Sequence, residues 1–343
     1  MQTFHSEHTK QRRALTELDG GRLVTPYECP ERVDMIIECV RESGLGAVST
    51  PAAYGLDPVL AVHDAAYVRF LERAWDDWVA AGLAGEPIPS IWPARRMRGD
   101  RVPDHIGGEV GYYALAAETS LCAGTFAAAQ ASKDIALSAL DHLVDTGEPA
   151  FGLCRPPGHH AAVDQYGGYC FFNNAAIAAQ RALDRGASRV AILDIDFHHG
   201  NGTQDIFYAR DDVLFVSIHG DPRQEFPYFL GYADETGQGA GDGFNVNYPL
   251  PSGTGYPKWA ATLDHALERI ARYRADMLIV SLGVDTFEHD PISSFLLKRD
   301  DFTDCGQRLR QADLPTVFLM EGGYAVADIG TNTVNVLRGF SRD

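Results

Sequence analysis

Five short apolar runs punctuate the second half of the chain: Ala150–Cys154, Arg189–Ile195, Val213–His219, Asp276–Gly283 and Thr316–Met320. Each is rich in Val, Ile, Leu or Phe and alternates little, the pattern of a strand buried on both faces. The longest clean run, Met277–Val284, falls far short of the roughly 18 residues of a membrane span. Helical periods lie between the runs. Asn174–Arg185 is Ala-rich, with Asn173 placed to cap it and Gly186 to stop it. Tyr256–Arg274 carries Leu263, Leu267 and Ile270 at helical spacing. Strand–helix alternation predicts an α/β fold with a parallel sheet, in which ligands gather at the carboxyl ends of the strands.

The first half is less regular. Tyr112–Ser138 reads as one helix with Gly124 as its weak point. Leu83–Asp104 reads as a long loop punctuated by Pro87, Pro89, Pro93 and Pro103. It holds Arg95, Arg96, Arg98 and Arg101, a local basic run best read as a solvated or subunit-contacting face.

Composition narrows the class. Hydrophobic residues make up 45% and charged residues 22% of 343, which is globular and excludes disorder or coiled coil over the whole chain. The net charge of −18 argues against nucleic acid and is compatible with steering of a cationic substrate. Met1–Lys10 is polar and shows no secretory signal, and no Cys-x-x-Cys occurs. A reducing cytoplasm is the expected location.

The densest chemistry is Asp194-Ile195-Asp196-Phe197-His198-His199-Gly200-Asn201-Gly202, directly after the run ending at Leu193. Strand side chains alternate, so Asp194, Asp196 and His198 can project to one side. Asp285 follows another strand end. Asp196, His198 and Asp285 then offer one nitrogen and two oxygen donors, a three-ligand set that suits catalytic zinc without excluding other divalent metals. After a third strand comes Arg155-Pro156-Pro157-Gly158-His159-His160, a rigid presentation of two candidate acid/base groups. After a fourth comes Glu321-Gly322-Gly323-Tyr324, whose hydroxyl could serve an oxyanion. Singly, each is as easily a turn, a cap or a packed residue. Jointly, they point to metal-assisted amide hydrolysis.

The Arg-Pro-Pro-Gly-His-His, Asp-Ile-Asp-Phe-His-His-Gly-Asn-Gly-Thr-Gln and Glu-Gly-Gly-Tyr motifs resemble those of the histone deacetylase superfamily. The resemblance extends toward bacterial acetylpolyamine amidohydrolases through Thr16-Glu17-Leu18, Gly111-Tyr112-Tyr113, Ala117-Glu118-Thr119 and Phe229-Leu230-Gly231-Tyr232-Ala233. It implies the arginase/deacetylase-like fold, a central eight-stranded parallel sheet flanked by helices, in a single deacetylase domain over 1–343. By that similarity Asp196, His198 and Asp285 bind one Zn²⁺. His160 is the principal proton shuttle and His159 its partner, oriented by Asp194. Asn201 holds His160 without adding charge, and Tyr324 is the electrophilic helper. A structural K⁺ is implied at Asp194, Asp196, His198, Ser217 and Ile218. Gly168, Tyr169, Phe226 and Ile292 match the acyl channel.

The 83–104 stretch matches an insertion that narrows the channel and helps form a homodimer. Glu17, Glu109 and Glu118 are the expected acidic groups facing a cationic tail, and Gly107 stands where a recognition carboxylate is expected. The implied activity is zinc-dependent release of acetate from small N-acetylated polyamines or diamines. The alternative is deacetylation of acetyl-lysine in peptides or proteins. A non-enzymatic binder would not need His159, His160 and Tyr324, and an arginase-like ureohydrolase would need more carboxylates for a two-metal cluster.

Overall fold

The computed structural model describes residues 1–341. The five apolar runs all form strands, joined by five more. In chain order these are β1 Gln2–Phe4, β2 Glu17–Asp19, β3 Arg22–Val24, β4 Val48–Ser49, β5 Ala150–Gly152, β6 Val190–Asp194, β7 Val213–Gly220, β8 Asn245–Leu250, β9 Met277–Leu282 and β10 Thr316–Met320. Eight of them build one sheet in the order β4-β1-β5-β10-β9-β6-β7-β8. Every pairing in it is parallel. β2 and β3 form a separate antiparallel hairpin.

Both faces of the sheet are apolar because helices cover both. Ile192, Phe215, Ile279, Val317 and Leu319 face one core, which includes residues of helices Ala65–Ala80, Thr125–Thr146 and Asn174–Asp184. Their strand neighbours Leu193, Val216, Val280, Phe318 and Met320 face the other, which includes residues of helices Glu31–Ser43, Tyr256–Tyr273, Asp301–Arg310 and Val326–Phe340. That two-sided burial explains why the runs show little alternation.

The expected helix over 112–138 is two helices, Ile106–Tyr113 and Thr125–Thr146, with an irregular stretch between. The break has a steric cause. A Cβ on Gly124 would lie 2.0 Å from the carbonyl oxygen of Gln11, so the N-terminal segment occupies the space a longer helix would need. Residues 83–104 contain no helix or strand, as expected. Asn173 caps its helix by accepting from the Ala176 amide at 2.9 Å.

One buried charge cluster ties the chain's start to two strand-end turns. The Glu28 carboxylate accepts from Arg12 Nη1 at 3.0 Å, Arg32 Nη1 at 3.2 Å and Arg155 Nε at 2.7 Å. All four residues are buried. The guanidiniums also bind backbone: Arg155 holds the carbonyls of Thr9 and Arg12, and Arg32 those of Glu321 and Gly323. Removing this carboxylate, the one salt-bridge partner that the three share among the described residues, would strand three buried cations. Glu28→Gln should therefore lower the free energy of urea unfolding by about 3–5 kcal/mol; a loss below about 1 kcal/mol would show the cluster to be dispensable.

Candidate active site

Sheet order brings the motifs together. β5, β10, β9 and β6 are consecutive neighbours, and parallel pairing puts their carboxyl ends along one edge. Asp194 pairs in register with Ser281 of β9 and Ser217 of β7. The segments that follow these strands carry His159–His160, Glu321–Tyr324, Asp285 and Asp196–Asn201, with Asp194 closing β6 itself.

Asp196, His198 and Asp285 converge, with their donor atoms all within 4.8 Å of one another and buried. His198 Nδ1 lies 3.1 Å from Asp285 Oδ2 and 3.4 Å from Asp196 Oδ1. Backbone amides fix the carboxylates from behind: Gly322 N–H donates to Asp196 Oδ2 at 2.8 Å, and Phe197 N–H to Asp285 Oδ1 at 2.8 Å. The glycines are needed for space. A Cβ on Gly283 would sit 2.2 Å from Asp196 Oδ2, and one on Gly322 2.6 Å from Asp285 Oδ2. Burial opposes a charge on His198, but its hydrogen bonds to Asp196 and Asp285 prevail and raise it to about 10. Burial, then the Asp196 charge, lifts Asp285 to about 8. Two carboxylates and an imidazole crowded into one dry spot fit a divalent cation by donor type and by charge.

The paired histidines are held differently. His159 Nδ1 meets Asp194 Oδ2 at 2.9 Å, and burial is outweighed by Asp194 and Asp196, so that its basicity is raised. His160 Nδ1 meets Asn201 Oδ1 at 2.6 Å. An amide oxygen can only accept, so Nδ1 carries the hydrogen and Nε2 of the neutral ring is left with its lone pair. Burial, then His159 and His198, lowers the basicity of His160. Its ring fills the place a side chain on Gly168 would take, with Cδ2 2.1 Å from that Cβ position.

A cavity of about 180 Å³ opens onto this centre. Its lining includes His160, His198 and Tyr324, the expected Gly168, Tyr169, Phe226 and Ile292, and the carboxylates Glu17, Asp19, Glu118 and Glu225. No lysine or arginine among the described residues lines it. The Tyr169 and Tyr324 rings meet edge to face at 5.4 Å, and Phe226 meets His160 at 5.1 Å. Burial, which Arg32 only partly offsets, keeps the Tyr324 hydroxyl protonated well above its ordinary range.

Not every expected residue arrives. Glu109 does not line the cavity; it is buried in an ion pair with Arg73. Gly107 lies on the same short helix, where its amide donates to the capping His105. No residue of 83–104 lines the cavity of its own chain, so the stretch does not narrow it from within. Ser217 is buried, with its hydroxyl 2.8 Å from His219 Nδ1. The sequence reading overlooked Arg32, whose guanidinium lies 4.9 Å over the Tyr324 ring while holding the carbonyls of that turn. It overlooked Asp290, which accepts the Tyr324 amide at 2.7 Å, and Glu225. Only the i,i+4 spacing of Glu28 and Arg32 left a trace in the sequence, and that reads as an ordinary helix pair.

This sheet, with a dry donor set at its carboxyl edge, defines a metal-dependent hydrolase of amide-like bonds. The histone deacetylase domain matches residues 26–340, and the chain belongs to that family. It is a deacetylase with the arginase/deacetylase fold, and its family implies a catalytic metal. It is 53% identical over 340 residues to acetylpolyamine amidohydrolase 2 of Pseudomonas aeruginosa, covering 99% of this chain and 98% of that one. It is equally 53% identical over 339 residues to acetylpolyamine amidohydrolase of Mycoplana ramosa, covering 99% of each. The crystal structure of acetylpolyamine aminohydrolase from Burkholderia pseudomallei superposes with a TM-score of 0.94 at 38% identity, over 99% of this chain and 98% of that one.

Glu17 supplies a pH signature. It is 3% exposed, and burial raises it from 4.5 to about 7 despite hydrogen bonds from Tyr169 and Tyr27. The folded chain keeps a proton that the unfolded chain has released, so this group costs stability as pH rises from 4.5 to 7. In urea titrations across that window, Glu17→Gln should make stability decline less with pH than in the wild type. Identical slopes would contradict the assignment.

Proposed function

We propose that this chain hydrolyses the acetyl amide of small cationic N-acetylated diamines and polyamines, releasing acetate and the free amine, with Zn²⁺ at Asp196, His198 and Asp285. One observation carries the substrate class: the small cavity over this centre is lined by four carboxylates and, among the described residues, by no lysine or arginine. A local negative field favours an ammonium-bearing substrate. The names of the relatives above point the same way.

The bound metal supplies Lewis-acid polarisation of the amide carbonyl and a more acidic water. This chain's own side chains do the rest. His160, with Nε2 free and Nδ1–H tied to Asn201, takes the proton of the attacking water and returns one to the leaving amine. His159 does not line the cavity; paired with Asp194, it sets the field beside His160, their rings 4.0 Å apart. Tyr324, kept protonated, donates to the developing oxyanion. Tyr169 and Phe226 flank the thin alkyl chain.

We extend the same reading to a structural K⁺ near Asp194, Asp196, His198, Ser217 and Ile218, supported by the register pairing of Asp194 with Ser217. It extends to a homodimer using the 83–104 stretch, which is exposed over 94–104, and to a cytoplasmic location. Six unpaired cysteines support a reducing compartment. No helix among the described residues is long and apolar enough to cross a membrane.

Asp285→Ala and His198→Ala should each lose zinc on dialysis, read by elemental analysis; full stoichiometry in both would contradict the ligand set. The substrate is tested by kcat/KM on acetylputrescine, acetylcadaverine, acetylspermidine and an acetyl-lysine peptide side by side. A small amine should win by about tenfold or more, equivalent to about 1.4 kcal/mol of transition-state preference. A win for the peptide would replace this reading with protein deacetylation.

A further inference from the structure

The four carboxylates that line the cavity are not equivalent. Both oxygens of Glu17 are engaged: Oε1 accepts from the Tyr169 hydroxyl at 2.6 Å, and Oε2 from the Tyr27 amide at 3.0 Å. Its partner needs holding. Tyr169 has φ +66 and follows Gly168 at φ +53, so two successive residues are left-handed. A non-glycine residue there costs on the order of 1–3 kcal/mol. Three side chains pin that turn: Glu118 accepts the Gly168 amide at 2.7 Å, Thr119 the Tyr169 amide at 2.8 Å, and Glu17 the Tyr169 hydroxyl. Asp19 is exposed on the hairpin, where water screens it.

Glu225 stands on the other side, next to Phe226. It is half-buried, and its stem crosses Gly220, where a Cβ would lie 2.8 Å from Glu225 Cγ. Its Oε1 accepts from the Ser294 hydroxyl at 2.7 Å, so one oxygen is anchored. Among the described residues no lysine, arginine or histidine forms an ion pair with it. An anchored, partly desolvated carboxylate on a ligand cavity, with no cation of its own, is pre-organised for a charge-assisted hydrogen bond.

We propose that Glu225, anchored by Ser294, is the residue that reads the distal ammonium of the substrate, whereas Glu17 is a positioning residue for Tyr169. This division of roles rests on the cationic-amine reading above.

The test compares kcat/KM for acetylcadaverine and for N-hexylacetamide, which replaces the distal ammonium with a methyl group at equal length. The wild type should prefer the cation by well over tenfold. Glu225→Gln should cut that preference about tenfold, and Ser294→Ala should cut it by less. Glu17→Gln should lower kcat/KM for both amides together and keep the preference. Tyr169→Phe should do the same, and the double variant should cost less than the sum of the two, because both changes act on the Glu17–Tyr169 contact. A preference that survives Glu225→Gln, or that collapses with Glu17→Gln, overturns the assignment while leaving the cationic substrate standing. A wild-type preference near unity removes the cationic-amine reading itself, and the assignment falls with it.

Discussion

The site depends on keeping Asp196 buried and ionised among three strand ends. Its carboxylate sits against Gly283 and Gly322, accepts amides from Gly322 and His198, and faces the imidazole of His198. Burial alone would neutralise such a group, and the charges and hydrogen bonds around it prevent that. The arrangement demands that β9, β6 and β10 present their ends at one height. Parallel register supplies this, and the glycines remove the side chains that would otherwise fill the space.

A second constraint reaches the centre from outside the sheet. The Glu28 carboxylate gathers three guanidiniums, one of which, Arg32, extends to the backbone of a site turn. Arg155 opens the Pro-Pro-Gly-His-His turn, and Arg32 clamps the Glu-Gly-Gly-Tyr turn while covering the Tyr324 ring. The N-terminal segment, the first helix and two catalytic turns are thereby locked into one unit. Buried ionic clusters add little net stability but fix geometry when every member is partnered. Amide hydrolysis needs that fixity, because the reacting groups must be placed before the substrate arrives.

The cavity walls show how one residue type takes different roles by surroundings. Glu17 is buried and bonded through both oxygens, Glu118 pins a left-handed turn through Oε1, and Glu225 is anchored to Ser294 through Oε1, whereas Glu109, off the cavity, is taken by Arg73. No count of acidic residues distinguishes these. What separates them is which donors already occupy their lone pairs.

The sequence by itself determined the repeating strand–helix order and the chemical content of the four strand-end loops. Both are written in local features: two-faced apolar runs, and dense polar motifs directly after them. It also exposed the Asn173 cap and the loop at 83–104, which follow from residue type and proline spacing. The tertiary structure alone decided which strands are neighbours. The order β5-β10-β9-β6 departs from chain order, and only it turns four separate motifs into one site. Short strands escaped the sequence reading because Gln2–Phe4 and Val48–Ser49 are too brief for a period, and edge strand Asn245–Leu250 carries polar residues and a proline. The helix break at Gly124, the capture of Glu109 by Arg73 and the placing of Glu225 depend on partners distant in sequence or on how loops fold over the cavity. Local pattern carries no record of such contacts.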